Sequence, residues 1–229
     1  MDAFEDLLAR AEADPAVVGL VLTGSQARGT ATVHSDHDVH VVVRSRNERW
    51  HTTRRTAELD EIVSTLDELA DTSDLWQRYA FRGARVLLDR LGGGVAALVE
   101  RQAVPTEAEA TAWARDALDG YLNLAYRAAK SRRDGNALAA TLDERESVPW
   151  LLTTVFALHS RLRPYNKYLR WELETYPLPE PWTAAVFPAR ALRDPIGMFP
   201  DVARLARGRG HGDVLDAWGN DLALLNTYV

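Results

Sequence analysis

The sequence predicts an α+β protein: a small mixed sheet with helices in its N-terminal part, followed by an α-helical bundle. Two observations lead there. Within the first 95 residues, short β-branched or apolar runs recur at 17–22, 38–43, 57–63 and 84–89, each bounded by Gly, Pro or polar turn residues. Beyond residue 95, alanine, leucine and charged residues recur at helical spacing instead. The division predicted is 1–95 and 96–229.

Taken in order, Phe4, Leu7, Leu8 and Ala11 share one helical face, and Asp14-Pro15 ends that pattern. "VVGLVL" at 17–22 reads as a buried strand and is followed by a glycine-rich turn. "DVHVVV" at 38–43 is a second strand, with Asp38, His40 and Val42 on one face and Val39, Val41 and Val43 on the other. The basic stretch "RSRNERWHTTRRT" reads as a loop or hairpin connection. "AELDEIV" at 57–63 is a third strand with Glu58, Asp60 and Ile62 on one face, and Ser64 or Thr65 caps a helix after it. "ARVLLD" at 84–89 is a fourth, closed by Leu91-Gly92-Gly93-Gly94. Helices follow near 95–102, 106–131, 147–161 and 164–174, punctuated by Pro105, Gly135 and Pro149, then at 183–192, 198–207 and 211–227.

Composition narrows the function classes. Lys plus Arg number 27 against 33 Asp plus Glu, a net charge of −6 that argues against a nucleic-acid partner held by long-range attraction. Cysteine is absent, which removes disulfides, thiolate metal sites and cysteine nucleophiles. The acidic, amphipathic start is no secretory signal, and no run approaches the roughly 18 apolar residues of a membrane span. A cytoplasmic location without membrane association is the expectation.

The chemistry concentrates in "GSQARGTATVHSDHD" at 24–38. Glycine and small hydroxyl residues in a turn expose backbone N–H groups to an anion, and Ser25 adds a hydroxyl donor. Strand alternation puts Asp36 and Asp38 on one face, about 6–7 Å apart along the chain. Two such carboxylates repel unless a cation lies between them, and hard oxygen ligands suit Mg²⁺. His34, His37 and His40 lie nearby, but His37 alternates away from both aspartates, so a zinc site is the weaker reading. His159 reads as a hydrogen-bonded core or interface group, and "RGRGHG" at 207–212 as a turn between helices.

"GSQARGTATVHSDHDVHVVV" resembles the signature of the DNA polymerase β-like nucleotidyltransferases: Gly-Ser, about ten residues, then Asp-x-Asp. The Ala27-Arg28-Gly29 and Ser35-Asp36 spelling is similar to the minimal and antibiotic-modifying branch, and the helical half to aminoglycoside and lincosamide nucleotidyltransferases. The resemblance implies Mg²⁺-dependent transfer of a nucleoside monophosphate, AMP from ATP, onto an acceptor hydroxyl with release of pyrophosphate. Asp36 and Asp38 would hold the metal, and Gly24 and Ser25 the triphosphate. It also implies a third acid on a neighbouring strand, for which Asp60 is the choice, ahead of Glu58 and Asp89. Lys167, one of only two lysines beside Lys130, is the candidate for the outer phosphates, and Arg28 either touches phosphate or caps the loop. A general base from the helical half would be Asp116, Asp119, Glu144 or Glu146. The acceptor would be a small molecule of the aminoglycoside or lincosamide kind. A protein substrate or an antitoxin-like nucleotide-binding partner are the alternatives, and the sequence sets neither acceptor nor oligomeric state.

Overall fold

The computed structural model describes residues 2–227, and the chain divides after Val104 into two compact units. In the first, α1 (Ala3–Ala13) begins with a capping box: Asp2 Oδ1 accepts from the Glu5 N–H at 2.8 Å, and Glu5 reaches back to the Asp2 N–H. Then come β1 (Val17–Thr23), the short helix α2 (Gly24–Arg28), β2 (His37–Val43), the two-residue β3 (Arg54–Arg55) and β4 (Leu59–Thr65). α3 (Leu66–Ala70), α4 (Leu75–Arg78), a 3-10 turn at Tyr79–Phe81, β5 (Arg85–Asp89) and α5 (Gly94–Ala103) complete the unit.

The five strands form one open mixed sheet in the order β3-β4-β2-β1-β5. β2 and β4 run parallel, and the remaining neighbours are antiparallel. Alternation divides the side chains as the sequence predicts. Val39, Val41 and Val43 join Leu7, Ala11, Leu59 and Val63 on the α1 side. Val42 lies on the other, with Val18, Val21, Leu69, Phe81, Val95 and Val99. The polar segment after β2 is tied down by Trp50, fully buried, whose Nε1 donates to Asp14 Oδ2 at 2.9 Å.

α5, which the sequence reading set beyond its boundary at 95/96, therefore packs in the first unit through Val95 and Val99. Buried Arg78 holds its C-terminal end, donating to the carbonyls of Gln102, Arg101 and Val104. These satisfy carbonyls that a helix end leaves without intrahelical partners. α4 and the turn after it carry no strong apolar periodicity and were not legible beforehand.

The second unit is built on α6 (Glu107–Arg133) and α7 (Ala137–Leu158). Both share a core of Leu118, Tyr121, Leu122, Ala125, Leu151, Val155 and Phe156. α7 runs straight through Pro149, where the sequence predicts a break. A proline inside a helix costs about 3 kcal/mol. Pro149 lies on the exposed side, while buried Ala140, Asp143 and Ser147 before it and Leu151, Leu152 and Val155 after it fix the helix in place. Gly120 lets the two helices approach closely: a Cβ there would lie 2.4 Å from the Trp150 ring. A 3-10 turn at Asn166–Tyr168 leads into α8 (Leu169–Thr175), α9 (Phe187–Arg193), α10 (Phe199–Gly208) and α11 (Gly212–Trp218). Gly219, at φ +53°, breaks the single helix predicted at 211–227 into α11, a 3-10 turn and α12 (Ala223–Asn226). Among the described residues, no helix is long and apolar enough to cross a membrane.

Candidate active site

Three carboxylates meet at the ends of two strands. Asp36 lies just before β2 and Asp38 within it, while Asp60 sits in β4 directly opposite Asp38 in the parallel register. Asp36, Asp38 and Asp60 each offer an oxygen such that all three atoms lie within 4.8 Å of one another. All three side chains are half-buried. Such a set of hard oxygen donors fits a divalent cation of the Mg²⁺ type, since without one the three charges repel.

The neighbouring strand shapes the wall. Thr23, the last residue of β1, pairs with Asp38, and its hydroxyl donates to the Asp38 carbonyl at 3.3 Å. Gly24 follows at φ +66°, and a Cβ there would lie 1.9 Å from Asp38 Oδ2. Glycine is required here twice over, for the left-handed backbone and for the approach of the carboxylate. Ser25 is buried in the turn of α2, and its carbonyl accepts from the Thr30 N–H at 3.0 Å. The glycine-rich turn of the sequence is thus a short helix that ends at Gly29, φ +69°.

The other candidates separate. Arg28 is buried, and its guanidinium donates to the carbonyls of Arg82, Tyr79 and Ala80 at 2.9, 2.9 and 3.0 Å. It anchors α2 to the segment after α4. Glu58 is exposed and precedes β4, where its carbonyl accepts from the His37 N–H. Asp89 caps the turn into α5, accepting from the Leu91 and Ala96 N–H groups. Burial alone would raise its pKa, but these and the Gly93 and Val95 N–H groups together lower it.

His37 stacks on Phe4 with ring centroids 4.3 Å apart, on the α1 side of the sheet as alternation requires. His40 is buried beside Phe81, and burial pulls its pKa down to about 4. His34 is exposed. No histidine joins the three aspartates in a metal-binding group among the described residues.

In the second unit, Lys167 lies in the 3-10 turn with its ammonium 5.4 Å from the Tyr168 ring centroid. Among the candidate bases, Asp119 accepts from Trp218 Nε1 at 2.8 Å and Glu144 pairs with Arg132, while Asp116 and Glu146 are exposed on α6 and α7. His159 is half-buried, its Nδ1 at the Val155 carbonyl, and burial lowers its pKa.

The sequence reading passed over Arg55. Its Nε lies 3.5 Å from Asp60 Oδ2, because β3 sets Arg55 opposite Asp60. Two adjacent arginines four residues ahead of a strand gave no sign of that pairing, since a two-residue strand has no periodicity to detect.

Residues 5–91 match the family model described as "Nucleotidyltransferase domain", a span that contains all five strands and all three aspartates. That match supports nucleotidyl transfer as the general class of chemistry, and a transferase as the class of enzyme. One similar solved structure is a nucleotidyltransferase-like protein from Exiguobacterium sibiricum, at 13% identity over 93% of this chain and 77% of that one, with a TM-score of 0.46. No curated protein matches the chain by sequence.

Proposed function

We propose that this protein is a Mg²⁺-dependent nucleotidyltransferase that moves AMP from ATP onto a hydroxyl of a small molecule, of the aminoglycoside or lincosamide kind. The observation that carries the reading is the convergence of Asp36, Asp38 and Asp60 to within 4.8 Å beside Gly24. In this reading the three aspartates hold the divalent cation, which when bound lowers the nucleophile's pKa and offsets charge on the attacking and leaving oxygens. Gly24 and Ser25 line the triphosphate. The acceptor oxygen attacks the α-phosphorus, the bond to the bridging oxygen of the β-phosphate breaks, and pyrophosphate departs. Because the protein supplies position and charge rather than covalent chemistry, rigid placement of the carboxylates is its main contribution. The antibiotic-like acceptor rests on the likeness of the helical half to enzymes of that kind and on the net charge of −6, which suits a cationic acceptor.

Pyrophosphate release, measured with Mg²⁺ and each of the four nucleoside triphosphates against a panel of aminoglycosides and lincosamides, tests the reading. Release that depends on ATP and one acceptor class is the expected result. Tight nucleotide binding with no release for any acceptor in the panel or in a cell extract would replace it with the binding-partner reading.

A further inference from the structure

The three carboxylates carry a neighbouring cation. β3 is the edge strand of the sheet, and its antiparallel register sets Arg54 opposite Glu61 and Arg55 opposite Asp60. Cross-strand partners project to the same face, so the two arginines part company. Glu61 is buried on the α1 side and already paired with Arg10 at 2.9 Å. Arg55 falls on the face of the catalytic aspartates.

The two ion pairs differ in kind. Arg10–Glu61 is short, with a Glu61 side chain only 4% exposed, and it is built into the fold. Arg55–Asp60 is longer at 3.5 Å, and the Arg55 side chain is 74% exposed. Among the described residues, Asp60 is the ion partner of Arg55. A contact so long and so well solvated holds its two groups only weakly. Yet it lies on a carboxylate of the metal-binding group, where it offsets part of the repulsion among three carboxylates.

Resting on the metal-site reading above, we propose that Arg55 is a displaceable counter-ion of Asp60. It neutralises the aspartate in the free protein, yields to the divalent cation, and then turns to the phosphates of the bound nucleotide. The backbone of β3 keeps the guanidinium beside the site after it lets go, and its fork of N–H donors matches phosphate oxygens. Arg55 thus opposes the metal and favours the nucleotide, and the two effects have opposite signs in a variant.

The experiment compares wild type, Arg55→Gln and Asp60→Asn. Mn²⁺ binding is read by electron paramagnetic resonance in the absence of nucleotide, and binding of a non-reactive ATP analogue is read in saturating Mn²⁺. Arg55→Gln is expected to bind Mn²⁺ about 1.5- to 5-fold more tightly, the range for loss of a competing exposed ion pair. It is expected to bind the analogue more weakly by about tenfold, as for a lost charge-assisted contact. Asp60→Asn should lose Mn²⁺ affinity. An Arg55→Gln protein that binds Mn²⁺ as wild type does, or less tightly, overturns the proposal while leaving the metal site intact. Tighter Mn²⁺ with unchanged analogue binding overturns the phosphate contact. A wild-type protein that binds no Mn²⁺ overturns the metal site and this proposal together.

Discussion

Replacing Gly24 with alanine isolates the geometric demand of the site. The new Cβ would lie 1.9 Å from Asp38 Oδ2, against an ordinary contact of about 3.5 Å, so the carboxylate must retreat by about 1.6 Å. The backbone at φ +66° adds a cost of about 1–2 kcal/mol for any residue with a Cβ. Gly29 provides the control: its φ is +69°, but nothing lies within 4 Å of a Cβ there. Gly29→Ala therefore suffers the backbone cost alone. Urea unfolding should show a stability loss of about 1–2 kcal/mol for Gly29→Ala and a larger one for Gly24→Ala, which adds the displacement of the Asp38 carboxylate to the backbone cost. Turnover, followed as pyrophosphate release, should fall only for Gly24→Ala, by about 100-fold, the scale expected for a 1 Å misplacement of a reacting group. Equal turnover in the two variants would refute the claim that Gly24 makes room for Asp38.

Arg28→Gln removes the donor to three carbonyls and should lower stability by about 2–3 kcal/mol in urea. Unchanged stability with weakened nucleotide binding would return Arg28 to the phosphates. Asp89→Ala should cost about 1–2 kcal/mol through loss of the cap on the turn into α5. Because folding lowers the Asp89 pKa from its ordinary 3.8, the gap between wild type and variant is fully present above that value and closes as pH falls through the lowered one. Urea midpoints at neutral pH and at acid pH check both parts.

What the sequence made legible follows from periodicity. Alternation in "DVHVVV" put Asp38 on the face opposite Val39, Val41 and Val43, and in "ELDEIV" it put Glu58 and Asp60 on one face; the family resemblance favoured Asp60, which the parallel register sets beside Asp38. Glu58 obeyed the same parity but lies ahead of β4, where parity no longer decides direction. Arg28 illustrates a different limit: a cation in a glycine-rich loop invites a phosphate, whereas its partners are carbonyls more than 50 residues away, which no local pattern encodes. Pro149 was read by its local propensity, and the long buried face of α7 overrode it. Arg55 belongs with Arg28, since its role depends on which strand it meets.

The most direct measurement is the rate of Mg²⁺-dependent pyrophosphate release by the wild-type protein and by Asp36→Asn combined with Asp38→Asn, at matched fold stability. The account predicts release by the wild type and none by the double variant. A double variant that works at the wild-type rate would place the chemistry elsewhere in the chain.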